Sequence, residues 1–506
     1  MPREAMSDVQ PRMDGGLNTV SDELSLMDTQ LRVATNARLT DFGALTKRGG
    51  TQRASSAVLA AASVLNGFAW RQDSGSQQLM AVANATLYTS SYGSLPWTWT
   101  AQTGTLSTTV APSFAQFRDG TNDVVYIADG GLLNVWNGTT FTTNIASTAQ
   151  CSAITVHNQR LWGTGVSTAP DSIFYSSLNN GSTLGIGASG GGQIIVRTFG
   201  DETIVGLASV GASLLIFHRQ GISRLTGFGQ DDITVAPQGV TADVGTIAAK
   251  AIVPVGNVCY FISERGLFRC NEGEVAPVGT PEKPDPLLPE IRSLSSAQFD
   301  SIRAVFNRGT RELWISVPTI GVYVYHTLLQ AWTGPWDTGY ISPATSAMWE
   351  ALNANGLPVI LKGDTSGWVS LCDAPSITED NVPAAGGSGT RYAMTAQMHR
   401  MYCKDDTVAK ALRWGYVTAQ LKGSDQCTVS WQTDTDSGSY TLPGSTYGIW
   451  GTGTWGTGSW ATTTSQNYRI PMGGNGYYVD LSIVDSGAAL PVFSRVALQT
   501  FLLGRR

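Results

Sequence analysis

Charge is scarce in this chain. Asp, Glu, Lys and Arg make up 14% of its 506 residues, where a soluble domain usually carries about 25%. The aromatic content is healthy, with 15 Trp, 16 Tyr and 15 Phe, which excludes a highly charged, aromatic-poor disordered chain. Heptads rich in Ala, Glu, Lys and Leu are absent, which excludes a coiled coil. Basic excess is absent too: 32 Lys and Arg stand against 38 Asp and Glu, a formal net charge of -6. Bulk charge therefore does not favour gripping phosphates. No apolar run approaches the ~18 residues of a membrane span. The opening MPREAMSDVQPRMDGG lacks the apolar core of a secretory signal.

Paired cysteine spacing is also missing. The six cysteines (Cys151, Cys259, Cys270, Cys372, Cys403, Cys427) show no CxxC pattern, as a disulfide framework or zinc site would. Cys259 and Cys270 lie on apolar, strand-like runs and read as inert core thiols. The expectation is a chain made and kept in a reducing cytoplasm, or assembled there into something larger. What the chain does have is glycine, 57 of them. With the aromatics, this describes a large, turn-rich β protein of two to four domains.

A short apolar strand followed, after a polar turn, by an aromatic-rich strand recurs seven times. The first strands are centred on Ala81, Tyr126, Trp162, Ile216, Tyr260, Trp314 and Ile360, a mean spacing of about 46 residues. A further apolar element precedes most units, as in FAQF, AITVHN and IVGLASV. Several units close on an aromatic-Thr signal such as Phe141-Thr142 or Trp332-Thr333. Three to four short strands every 40–50 residues is the pattern of a β-propeller. The fold class expected is all-β: a propeller of about seven repeats over 57–376, then a C-terminal β-sandwich over 391–506. Residues 1–56 read as an extended N-terminal segment. Residues 377–390, rich in Pro, Gly and Ser, read as a linker. In the sandwich region Tyr477, Val479, Leu481 and Ile483 alternate onto one strand face.

Catalytic groups do not converge. His157, His218, His326 and His399 fall in different units, and there is no HExxH, nucleophile elbow or P-loop. Gly185–Gly190 matches GxGxxG as a string, but the β-branched run after it is strand-like, not the helix a dinucleotide loop opens. Asp434-Thr435-Asp436-Ser437-Gly438 lacks the distal Glu of an EF-hand and reads as a turn. No catalytic residue, metal ligand or cofactor is expected, and the chain reads as a non-enzyme. One local oddity stands out: Trp450, Trp455 and Trp460 recur every five residues with glycines between them, in a loop spanning 446–463. Large rings in so flexible a stretch either pack on their own domain or order against a neighbouring subunit.

The amino-terminal residues Gly15-Gly16-Leu17-Asn18-Thr19, then Asn36-Ala37-Arg38, then Gly43, Arg48, Gly49 and Gly50, form a "GGLNT … N-x-R … G-x-L-x-x-R-x-G" series. This resembles the opening of tail nozzle (tail tubular, or packaged-DNA-stabilising) proteins of short-tailed bacteriophages. The WGTG stretch is similar to such tail proteins as well. The resemblance implies a virion structural protein of the tail, assembled in the host cytoplasm. It would form a homo-oligomeric ring, a hexamer, below the portal and docked on an adaptor protein, with tail fibres or spikes nearby. The ring would retain packaged double-stranded DNA and let it pass without specific binding, and it would need no membrane anchor. Gly15, Gly16, Leu17, Asn18, Asn36, Arg38, Gly43, Arg48 and Gly49 would be the docking motif. Other readings stay open: a glycan-binding or glycan-cleaving propeller of a receptor-reading tail component, or a tail-tip or collar protein of a long-tailed phage. At this level, removal of residues 1–40 is expected to abolish docking and leave a soluble core. Replacing Trp450, Trp455 and Trp460 together by Ala is expected to leave the strand repeats folded but weaken assembly. Circular dichroism and sedimentation of the triple variant check this, and unchanged assembly removes the interface role.

Overall fold

The computed structural model describes residues 5–10, 12–199, 203–227, 238–374, 377–402, 407–421, 427–443, 465–487 and 490–502. Trp450, Trp455 and Trp460 lie outside them, as does Cys403. Strands dominate, and helices are limited to short turns such as Leu287–Arg292 and Ser296–Asp300. No helix of the described residues is long and apolar enough to cross a membrane.

Seven small antiparallel sheets follow one another along the chain. They begin with the strands Val64–Arg71, Ser113–Asp119, Ala153–His157, Ile204–Val210, Ile252–Val255, Arg303–Asn307 and Thr345–Leu352. All seven repeat centres read from the sequence fall on the second strand of a sheet, where nearly every residue is buried. The reason is positional. The second strand is covered on both faces, so it reads as a continuous apolar run rather than an alternating one. The leading strands lie side by side in chain order, and the seventh lies against the first. Val64, Ala347 and Trp349 share one apolar cluster at that closure. The result is an all-β, propeller-like arrangement of four-stranded sheets. Within this GxGxxG string, Gly187–Ser189 form a short 3-10 turn ahead of the strand Gly192–Ile195, in keeping with a loop.

The seventh sheet corrects the expected domain boundaries. Its own region supplies three strands, Thr345–Leu352, Pro358–Asp364 and Val369–Ala374, and the fourth is Gly50–Arg53 from the amino-terminal segment. The described residues of 1–56 are thus not an extended arm. Gln30–Thr35 lies between Ala331–Trp336 of the sixth sheet and Met394–Met398, so the sixth sheet runs on into a ten-stranded sheet. Ala37–Leu39 and Leu45–Lys47 join a seven-stranded sheet with Lys410–Gln420 and Val492–Leu502, and Ala5–Gln10 pairs with that last strand. Leu17, Leu31, Ala34, Ala37 and Leu39 are buried in one cluster with Ala396, Val429 and Ile483 of the larger sheet and Val417 and Val496 of the smaller. A segment poor in aromatic repeat signals looked detached because its partners lie hundreds of residues away.

The stretch 377–390 is likewise not a free linker. Asp380 is fully buried, its backbone pairs with Thr390, and Val382 exchanges backbone hydrogen bonds with Thr51 and Arg53. Gly50 is required here, because a Cβ would strike the Glu379 carbonyl. Further on, Val479, Leu481 and Ile483 are buried as the alternation predicts, but Tyr477, ahead of both the strand Asp480–Asp485 and the Val479 bridge to Met401, is exposed.

This placement reverses the truncation outcome expected from the sequence. Deleting residues 1–40 removes a central strand and six core side chains, Met13 among them, so the remainder is expected to aggregate or unfold rather than stay soluble. Leu31→Ala alone is expected to cost about 2–5 kcal/mol, read from urea unfolding. A cooperative, fully soluble 41–506 fragment would contradict this packing.

Candidate functional site

The nine residues of the amino-terminal motif come together as a joint inside the chain rather than as an exposed face. Gly16 takes a left-handed backbone (φ 69°), and a Cβ there would lie 2.7 Å from the Trp332 carbonyl oxygen. Only glycine lets the chain pass so close to the sixth sheet. Gly15 donates its N–H to Thr29, and the neighbouring Leu17 is a core residue. Asn18 is buried. Its amide donates to Gln30 (3.1 Å) and its oxygen accepts from the Val20 and Ser21 N–H groups. Gly43 closes the turn of the hairpin built from Ala37–Leu39 and Leu45–Lys47, beside Asp14. Phe42, at the tip of that hairpin, is 92% exposed.

Asn36 and Arg48 form the centre of the joint. Asn36 holds φ 52°, a conformation asparagine tolerates better than most residues. This kink carries the chain from the ten-stranded sheet into the seven-stranded one. Its amide donates to Asp337 (2.6 Å) and to the Ala393 carbonyl (2.9 Å). Its oxygen accepts from Arg48 Nε (3.0 Å).

Arg48 is fully buried, and all five of its N–H groups are used. Nη1 and Nη2 clasp Asp380 at 2.9 and 2.6 Å, and they also reach the carbonyls of Gly49 and Thr338. The Tyr392 ring lies 3.8 Å from the guanidinium carbon, and the Tyr392 hydroxyl donates to the Arg48 carbonyl. Burial opposes the charge on Arg48, but the Asp380 carboxylate outweighs it and holds the guanidinium's proton above the ordinary value.

Two further links flank this core. Arg38 bridges Glu312 of the sixth sheet (2.7 Å) and Asp373 of the seventh. Burial pushes the Glu312 carboxyl up, against the pull of Arg38, while Trp314 Nε1 also donates to it. The Gly49 N–H donates to Asp373 (2.6 Å). Lys47 is buried beside Asp485 (3.3 Å) and donates to the Gly487 carbonyl. The partners Asp337, Asp373, Asp380, Glu312 and Tyr392 were not legible in the sequence, since nothing local distinguishes them from other acids and tyrosines. The motif does not form an exposed face in this chain: Leu17 is in the core, and Asn18, Asn36, Arg38 and Arg48 each bond another polar group of the joint.

Chemistry elsewhere is sparse. Among the described residues no three His, Cys, Asp or Glu side chains stand together as metal ligands. The four histidines are buried and separate, with His157 on Ser209, His218 on Ser223, His326 on Asp41 and His399 near Asp28. Burial pushes the Cys151 and Cys372 thiols up to about 12, the signature of packed rather than reactive sulfur. A cleft of about 740 Å³ between the first and second sheets holds Asp73, Asp119 and Asp123, but each is engaged: Asp73 by Arg118, Asp119 by Tyr126, Asp123 by the Asp73 N–H.

No protein-family model and no curated protein matches the chain. Among solved structures it is similar to one titled "Structure of U3-55K", at 9% identity and a TM-score of 0.42, over 64% of this chain and all of that one. A likeness at that level carries no functional argument.

Breaking a buried, hydrogen-bonded ion pair strands a charge, which costs about 3–5 kcal/mol. Asp380→Asn and Arg48→Met are each expected to destabilise the whole chain by about that amount, in one unfolding transition. Asp243→Ala, at the solvent-exposed pair with Arg265, is expected to leave the midpoint unchanged. If Asp380→Asn unfolds at the parental midpoint, the joint does not hold the sheets together.

Proposed function

We propose that this chain is a structural subunit of the tail nozzle of a short-tailed bacteriophage. In this reading the seven sheets are a seven-bladed propeller closed by the strand Gly50–Arg53, and the two carboxy-terminal sheets are a β-sandwich. Copies assemble into a ring beneath the portal and adaptor, in the virion tail, and the ring retains packaged DNA until ejection. The observation that carries the proposal is the amino-terminal motif itself. Its glycines, Asn36, Arg38 and Arg48 answer to one joint, so the motif marks a particular architecture rather than a chance string.

Other features agree with it. The Lys250 Nζ donates to the Pro112 carbonyl between the fifth and second sheets, so the axis of the ring of sheets is bridged within one chain. A conduit for duplex DNA must then run between copies. Net charge of -6 per copy, repeated around a ring, suits a wall that phosphates slide past. Because the motif faces inward, contact with an adaptor falls to exposed parts such as the hairpin tip at Phe42. Trp450, Trp455 and Trp460 remain the proposed inter-subunit or gate loop.

The glycan reading is not favoured. A glycosidase needs two carboxyl groups facing each other across the cleaved bond, and the acids of the cleft between the first and second sheets are tied to protein partners. Native mass spectrometry of the purified chain, alone and with portal and adaptor, tests the proposal. The expected species is a closed oligomer or one that forms on the adaptor ring. A monomer that ignores the adaptor and binds oligosaccharide would sink it.

A further inference from the structure

Lys250 sits in a one-turn helix, Ala249–Ala251, just ahead of the first strand of the fifth sheet. Its Nζ donates to the Pro112 carbonyl, 3.1 Å away, just ahead of the first strand of the second sheet. Two sheets separate these on one side of the ring and three on the other, so the side chain crosses near the axis. The same end carries a chain of contacts between leading strands. Arg303 Nε donates to the Ser346 carbonyl (3.1 Å), Ser346 Oγ to the Val64 carbonyl (2.7 Å), and Asn66 Nδ2 to the Pro112 carbonyl (2.8 Å). Lys250 and Arg303 therefore lie at one end of the ring of sheets, where the one-turn helix meets the strand Arg303–Asn307.

Two cations placed together in protein need compensation. Burial and the neighbouring Arg303 guanidinium bring the Lys250 ammonium down to about 7, with Asp300, on the short helix before the sixth sheet, acting the other way. Burial also lowers Arg303, again against Asp300. Among the described residues neither cation forms an ion pair with a carboxylate, so when Lys250 is protonated the two cations and Asp300 leave one positive charge over. Donors are left over as well. An ammonium has three N–H groups and a guanidinium five. Lys250 gives one to Pro112, and Arg303 gives three, to Ser346, Asp300 and Ile302 carbonyls. Two on Lys250 Nζ and two on Arg303 Nη2 have no acceptor among the described residues.

We propose that Lys250 and Arg303 form a binding site for a small tetrahedral oxyanion, sulfate or phosphate, at this end of the ring. The ion would accept from Nζ and Nη2 at once, supply the missing negative charge, and fasten the fifth and sixth sheets to the second across the axis. The proposal is independent of the ring assembly, since the site lies within one chain.

Sulfate is the probe of choice because it keeps its charge across the range in which Lys250 titrates. Thermal unfolding of the full chain is followed against sulfate at pH 6, with chloride matched for ionic strength. A saturable rise of about 1–3 °C is expected, as for ligand binding to the folded state only. Lys250→Met and Arg303→Gln should each abolish the saturable part, and Lys250→Arg should keep it. The pH sign follows from the lowered lysine: the ammonium is present below about 7 and lost above it, so affinity should fall about tenfold or more by pH 8.5. A rise that is linear in sulfate and equal in Lys250→Met would be general salting stabilisation and would overturn the site. So would the absence of any rise over chloride at pH 6, or equal affinity at pH 6 and 8.5.

Discussion

The Arg48–Asp380 pair is the constraint on which the rest of the fold depends. It joins the amino-terminal segment to a stretch more than three hundred residues later, and through Thr338 and Tyr392 it reaches the sixth sheet and the chain leading into the carboxy-terminal sheets. Arg48 is followed directly by the strand that completes the seventh sheet, so the same few residues set the joint and close the ring. Burying an ion pair is costly unless every donor and acceptor is matched, and here all five guanidinium N–H groups are. The arrangement rewards one register only: a slip of Gly50–Arg53 would leave a buried charge without its partner.

This explains why a segment that looks dispensable is central. Small four-stranded sheets each bury little surface alone and rely on their neighbours. A ring of them fails wherever one gap stays open. Here the last sheet of the ring is completed with a strand from the amino-terminal segment, which makes distant parts of the chain thermodynamically dependent on one another. The inward-facing glycines follow from the same demand, since a strand threaded between existing sheets needs close backbone approach at Gly16 and Gly50.

The repeat was legible because the second strand of each sheet is buried on both faces and carries an unbroken apolar signature, as in LLIFH around Ile216. The leading strands were visible for a related reason: their buried residues, which pack against neighbouring sheets, alternate with less buried ones, and IVGLASV shows the alternation. The fourth strand of the seventh sheet was not legible, because Gly50-Thr51-Gln52-Arg53 has no apolar pattern and its pairing is set by distant residues. The same holds for the joint. Arg48 stood out only through a resemblance, and Asp380 lay in a Pro- and Gly-rich stretch whose composition suggests a linker. Non-local polar pairing leaves no periodic trace, so the sequence shows where strands are more readily than what fastens them.

The functional account rests on a ring of copies with the conduit between them, not through any one chain. A density map of the intact particle tests this most directly. The account predicts several copies of the chain around the portal axis, below the adaptor, with the DNA channel bounded by more than one copy. A map that puts the chain away from that axis, or that threads DNA through the ring of sheets of a single copy, would contradict it.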